Sequence, residues 1–430
     1  MNTMHKFLCF FLALGFLHAC SKDAGDDISL PSVTYLEPSS GANFNVRDTV
    51  NIKVHIRSER PVSKISISIL NENFSPVTPA KGSDPGKTDF ILEEALVLSN
   101  ENLPSGDYVV FTSAVSSAGE AKAYRKIRIS GMPRRFKELI YVSQINSLKT
   151  TVTTVDSAHN QETRLNLNSG FAGLAVSSFN TQVYLATPEP SHVLAYDAET
   201  YELQWDYSPP APHTVVFDVM ANIDVVYVST GNGNIAGLNA KGAVVYTTPV
   251  NTDRMARKIF RHDHYMICYQ TRRSDLKKYL AAFHNATGFY ANGKEIDMEV
   301  AGFGTRDASE VYIFANRNDT GMLRAYHVLE NTLADLDMPE GKIITVLPTG
   351  QDEIMVATSE GVYSFSKRKE KFTLKIAYGG IEHLAFDEVN GVLYASTGTH
   401  IRVYDHETGG LMNVITSGYD VRAMDVRYDR

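Results

Sequence analysis

The ten residues Val421-Arg-Ala-Met-Asp-Val-Arg-Tyr-Asp-Arg430 repeat the opening of an earlier phrase, Ile381-Glu-His-Leu-Ala-Phe-Asp-Glu-Val-Asn390, and lack only its continuation. The missing continuation stands far upstream. Glu138-Leu-Ile-Tyr-Val-Ser143 has the form of a second strand with no first strand before it. Joining the two halves closes a ring and removes two exposed sheet edges, each of which would otherwise template aggregation.

Between these ends one short phrase recurs seven times, a few mostly apolar residues ending in a bulky one and followed by a polar turn. Its bulky positions are Val155, Tyr196, Leu238, Phe283, Tyr326, Phe365 and Tyr404, separated by 41, 42, 45, 43, 39 and 39 residues. That period is the length of one four-stranded propeller blade. A second recurring phrase precedes it, as in Leu174-Ala-Val176 leading to Val183-Tyr-Leu-Ala-Thr187, and Leu384-Ala-Phe-Asp387 leading to Val392-Leu-Tyr-Ala-Ser-Thr397. Alternating side chains point to opposite faces of a strand, so one face of each such segment lies against a neighbouring sheet and stacked repeats bury one another. The expectation over 136–430 is a seven-bladed β-propeller closed by the C-terminal strand.

Residues 32–131 form a different module. Val50-Asn-Ile-Lys-Val-His-Ile56, Ser63-Lys-Ile-Ser-Ile-Ser-Ile69, Gly106-Asp-Tyr-Val-Val-Phe-Thr-Ser-Ala114 and Ala121-Lys-Ala-Tyr-Arg-Lys-Ile-Arg-Ile129 are short alternating strands separated by turn residues at sandwich spacing. The fold class is therefore all-β, an immunoglobulin-like β-sandwich followed by the propeller, with Met132-Pro-Arg-Arg135 as the hinge. Leu103-Pro-Ser-Gly-Asp-Tyr108 resembles the approach to the late strand of fibronectin-type and PKD-like modules.

The first residues read as a targeting segment. A short start carrying Lys6, an apolar run from Phe7 to Leu17 and then Cys20 is too short for a spanning helix and has the form of a cleaved signal over 1–19. Leu17-His18-Ala19-Cys20 resembles a bacterial lipobox, which implies that Cys20 carries the lipid. Residues 20–31 are expected to be a tether, since Ser21-Lys-Asp-Ala-Gly-Asp-Asp27 is short, acidic and poor in apolar residues. A tether of this kind resembles the export signal of Bacteroidota surface lipoproteins.

Together these features are similar to the surface lipoproteins that accompany TonB-dependent transporters of the SusC/SusD type. The resemblance implies an outer-membrane, cell-surface protein anchored by lipid, with a periplasm-facing lipoprotein as the alternative, a partner transporter, and a small-molecule, glycan or peptide ligand for nutrient uptake. Some seven-bladed lipoproteins of these bacteria capture cobalamin, and their blade length is similar. The formal charge of −8, from 41 basic and 49 acidic residues, argues against a nucleic-acid partner, which leaves a basic footprint.

Ligand sites favour places where several elements converge, and a propeller axis gathers one loop per blade. Aligning the innermost strands predicts a rim of Phe171, His213, Arg257, Phe303, Lys342, Glu382, His383 and Arg422. Its cations and aromatic faces suit an anionic or sugar-like ligand. The alternative is a propeller enzyme, a lactonase, lyase or quinoprotein, with its site at the channel. Quinoprotein dehydrogenases resemble this chain in the turns Asp197-Ala-Glu-Thr200 and Asp405-His-Glu-Thr-Gly409, yet they carry a tryptophan motif in most blades, and Trp205 is the only Trp here. No catalytic residue, metal site or cofactor is therefore expected. His262-Asp263-His264 reads as a solvated hairpin, Trp205 as blade packing and Cys268 as a small buried hydrophobe.

Overall fold

The computed structural model describes residues 29–72, 74–188, 190–210 and 215–429. The signal segment, Cys20, most of the tether and His213 lie outside these residues. The chain divides into two compact units between Gly131 and Met132.

Among the described residues the first unit has seven strands, all in one hydrogen-bonded sheet. Its organiser is the 22-residue strand Thr49–Leu70. The first half pairs with Ser32–Glu37 and Lys87–Val97, and the second half with Gly106–Ser116 and Lys81–Ser83. The change of partners falls at the register break between Arg57 and Val62, a stretch containing Pro61, which has no N–H to give to a ladder.

The second unit is seven four-stranded antiparallel sheets. Blade 1 takes Arg135–Asn146, Lys149–Val155 and Gln161–Leu167 from one end of the unit and Val421–Asp429 from the other. Blades 2 to 7 follow in order over 173–207, 216–247, 254–296, 299–336, 343–376 and 383–416. The inner strands Gly173–Ser177, Val216–Asn222, Arg254–His262, Glu299–Thr305, Ile343–Pro348, His383–Asp387 and Val421–Asp429 each touch the next around a closed ring. The seven blades and the C-terminal closure thus agree with the repeat.

Seven apolar clusters hold the ring, one between each adjacent pair of blades. Second strands explain their own sequence here. In Gln182–Pro188, Val183 and Leu185 pack toward blade 1 while Tyr184 and Ala186 pack toward blade 3, and all four are buried. A strand covered on both faces has no polar side, so it reads as a continuous apolar run.

The polar residue that ends each recurring phrase also has a physical role. The turn between third and fourth strands holds one left-handed residue in every blade, His159, Tyr201, Gly242, Gly288, Asn331, Glu370 and Gly409. In blades 1, 2, 3 and 7 the turn's first residue, Asp156, Asp197, Asn239 or Asp405, accepts hydrogen bonds from N–H groups of its own turn. Such side chains mimic a backbone turn and fix its conformation.

Closure of the ring is pinned by charge. Arg427 and Glu138 are register partners across the joint between Val421–Asp429 and Arg135–Asn146, and both are buried. Arg427 Nη1 stands 3.2 Å from Glu138 Oε1, a close ion contact, while Nη2 donates a 2.8 Å hydrogen bond to Glu199 of blade 2. Burial raises the Glu138 carboxyl above its usual range, and Arg427 opposes that shift. Removing one member of a buried pair leaves an uncompensated charge, a loss of about 3–5 kcal/mol. Arg427→Met should therefore lower the denaturation midpoint strongly, and adding Glu138→Gln should recover much of the loss. Equal midpoints for wild type and Arg427→Met in a urea titration would remove the pair from the closure.

Candidate functional site

The inner strands share one irregularity. Five of them slip by one residue near their start, between Val216 and Asp218, Ala256 and Lys258, Val300 and Gly302, Ile343 and Thr345, and Val421 and Ala423. Each slip is a β-bulge, and a bulge re-aims the side chains around it. The bulged residues are Phe217, Arg257, Ala301, Ile344 and Arg422, and the ladder resumes at Asp218, Lys258, Gly302, Thr345 and Ala423. His383 resumes the ladder of blade 7 at Ser396, whose carbonyl also accepts from the Glu382 N–H.

The extra residue decides which cation belongs to the axis. Arg257 lies on the face of Phe217, 4.0 Å from the ring centre, and its Nε donates to Thr271 Oγ1 at 3.1 Å. It therefore serves the contact between blades 3 and 4. Lys258, absent from the predicted rim, is the exposed cation whose field reaches both Asp218 on blade 3 and His383 on blade 7. Sequence alignment without the bulge missed it by one position.

His383 is the meeting point. Burial holds its imidazole below the ordinary histidine value, Glu382 opposes this, and Arg422 and Lys258 push it further down. Neutral His383 thus stands among two cations, one from blade 4 and one from the closing strand. Neither Lys258 nor Arg422 forms an ion pair or side-chain hydrogen bond among the described residues.

Asp218 is already committed. Its Oδ1 accepts from the Val219 N–H at 3.0 Å and its Oδ2 from the Ile259 N–H of the next inner strand, also at 3.0 Å. Asp425 repeats the device between blades 1 and 2, accepting from Val426 at 2.8 Å and Val176 at 3.0 Å. Burial pushes the Asp425 carboxyl up to about 6. Inner strands have no ladder partner on their axial edge, so free N–H groups remain there, and these two carboxylates satisfy four of them.

The other predicted rim residues separate. Phe171 packs beside the cluster between blades 1 and 2, and Phe303 is buried between blades 4 and 5, stacked on Phe260 at 5.8 Å. Lys342 is exposed and paired with Asp319 at 2.6 Å, and Glu382 is exposed with a 3.4 Å contact from the Gly398 N–H. His213 lies outside the described residues. Of the predicted set, His383 feels the charges of Glu382 and Arg422, together with that of Lys258.

Three further residues were assigned roles from sequence. Trp205 packs on Tyr184 and donates to the Ala240 carbonyl at 3.0 Å, and Cys268 is a buried free thiol. His262 departs from the expected solvated hairpin. It is buried, with Nε2 2.6 Å from the Asp307 carbonyl of blade 5, because its side chain turns into the seam between blades while Asp263 and His264 stay exposed.

No family model matches the chain, and no curated protein matches it. Among solved structures it is similar to a quinoprotein alcohol dehydrogenase-like protein from Bacteroides thetaiotaomicron, at 13% identity over 91% of this chain and 98% of that one, with a TM-score of 0.46. It is also similar to BamB from Moraxella catarrhalis, at 11% identity over 68% of this chain and 93% of that one, TM-score 0.42. Hydrazine synthase from Kuenenia stuttgartiensis is similar at 10% identity over 64% and 93%, TM-score 0.47.

The folded state binds the His383 proton less readily than the unfolded chain does, so stability attributable to this group is present above the ordinary value of 6.5 and is lost as pH falls through and below it. In an NMR titration, Lys258→Ala or Arg422→Ala should raise the His383 midpoint and Glu382→Gln should lower it. A midpoint that ignores all three substitutions would show that these charges do not converge.

Proposed function

We propose that this protein is a lipid-anchored outer-membrane protein, facing the cell surface, that holds a small anionic ligand at the mouth of the propeller axis. In this reading it is a non-enzymatic accessory of a TonB-dependent uptake system of the SusC/SusD type. The observation that carries the ligand class is the convergence of Lys258 and Arg422 on His383. Two cations that form no ion pair among the described residues, set against the carboxylates of Glu382 and Asp218, favour an anion, which gains charge-assisted hydrogen bonds from both. Asp218, one of the two acids acting here with Glu382, has its oxygens engaged by backbone N–H groups, which favours binding over acid–base chemistry at that carboxylate.

The anchoring part of the reading rests on Leu17-His18-Ala19-Cys20 and the acidic residues after it. We take 32–131 as an immunoglobulin-like sandwich that spaces the propeller from the membrane. The long strand with two sets of partners supports this, as does Tyr108, whose hydroxyl donates to the Pro104 carbonyl at 2.9 Å. A tyrosine bonded back to the chain just upstream is a hallmark of such sandwiches.

The test is purification of the lipidated protein from its native outer membrane, with mass spectrometry of co-purifying proteins and extracted small molecules. Recovery of a TonB-dependent transporter together with an anionic small molecule is expected. Recovery of the protein without a transporter and with a bound metal or quinone would contradict the accessory role and favour an enzyme.

A further inference from the structure

Blade 6 lacks the turn carboxylate or amide of blades 1, 2, 3 and 7, and the residue that takes its place builds a second site. Its turn begins with Ser366 in place of the Asp or Asn of blades 1, 2, 3 and 7, and its tip is Lys367-Arg368-Lys369. The carboxylate that fixes this turn comes from the neighbouring hairpin of the same blade. Asp352 Oδ1 accepts from the Arg368 N–H at 2.7 Å, its Oδ2 accepts from the Ser366 hydroxyl at 3.1 Å, and its carbonyl accepts from the Lys367 N–H at 2.8 Å. The two hairpins are thereby locked to each other.

Opposite the tip, blade 5 supplies Arg306 and Tyr312. Arg306 reaches Glu310 and Glu370 at 2.8 Å each, and the Tyr312 hydroxyl donates to Glu370 Oε1 at 3.0 Å. Together these residues line a cleft of about 390 Å³. Every acid of the lining is occupied, Asp352 by the turn and Glu370 by Arg306 and Tyr312. The cations at the tip are not. Among the described residues, the side chains of Lys367, Arg368 and Lys369 form no ion pair or hydrogen bond, and Arg368 and Lys369 are exposed.

From this geometry we infer that the cleft between blades 5 and 6 is a binding site for a phosphate group, held by Lys367, Arg368 and Lys369 on a turn that Asp352 preorganises. Phosphate oxygens accept several charge-assisted hydrogen bonds at once, and three adjacent cations on a fixed turn match that demand. The run is only three residues long in the sequence and has no basic neighbours within it beyond Lys371, so its meaning depends on the cleft in which it sits. The site uses blades 5 and 6 and none of Lys258, His383 or Arg422, so it stands or falls independently of the axial site.

The phosphate could belong to a free anion or to a lipid headgroup, and soluble probes separate the two. The full chain in neutral detergent would be titrated calorimetrically at low ionic strength with inorganic phosphate, pyrophosphate, dihexanoyl phosphatidate and dihexanoyl phosphatidylcholine. Saturable binding of at least one of the first three is expected. It should weaken at least tenfold in Lys367→Ala/Arg368→Ala/Lys369→Ala, and should persist in Lys258→Ala/Arg422→Ala. Preference for phosphatidate over both inorganic anions identifies a headgroup, whereas comparable or better binding of the inorganic anions identifies free phosphate. The triple variant removes only surface side chains and should melt with wild type. Asp352→Asn, which keeps all three cations but weakens the lock, should lose affinity by a smaller factor. No saturable binding of any phosphate probe, or binding unchanged in the triple variant, would overturn the site.

Discussion

The propeller depends on one joint. Seven blades bury their apolar faces only if each has a neighbour on both sides, and the last neighbour exists because Val421–Asp429 adds itself to a sheet begun nearly three hundred residues earlier in sequence. With the joint open, the cluster between blades 7 and 1 would be divided, Leu139, Tyr141 and Val155 parting from Val421, Met424 and Val426 of the closing strand. Hydrophobic burial supplies most of the joint's free energy, and the register is specified by the buried Arg427 and Glu138, since a one-residue slip would separate them.

The same joint brings the axial site into being. Arg422 belongs to the closing strand and His383 to the strand beside it, while Lys258 comes from the far side of the ring. No local segment contains the three. The inner strands end with an unpaired axial edge, and in five of them a bulge near the start turns one extra residue out of the ladder. Asp218 and Asp425 satisfy some of the N–H groups left on that edge, while Lys258, whose field reaches Asp218, and Arg422 form no ion pair among the described residues.

The ring was legible because its causes are periodic. The continuous apolar run Val183-Tyr-Leu-Ala186 and its equivalents report burial on both faces, and the truncated phrase after Val421 reports closure. The site was less legible because its causes are single insertions. The bulge puts Arg257 out of the ladder and lets the ladder resume at Lys258, a one-residue change that an alignment of apolar positions cannot register. Phe171 and Phe303 had the right residue type for a rim, but a neighbouring blade covers them. His262 looked like a hairpin tip because its partner, the Asp307 carbonyl, lies 45 residues away on the next blade. The borrowed cap at Ser366 is equally invisible, since only the paired hairpins show that Asp352 replaces the missing turn carboxylate.

The central claim is that the closed ring gathers Lys258, His383 and Arg422 into an anion site on the axis. It is tested most directly by isolating the small molecule extracted with the native protein and titrating it calorimetrically into the wild-type chain and into Lys258→Ala/Arg422→Ala. The account predicts an anionic compound whose affinity falls at least tenfold in the double variant while the melting temperature changes little. A neutral compound, or one bound equally by both proteins, would contradict it.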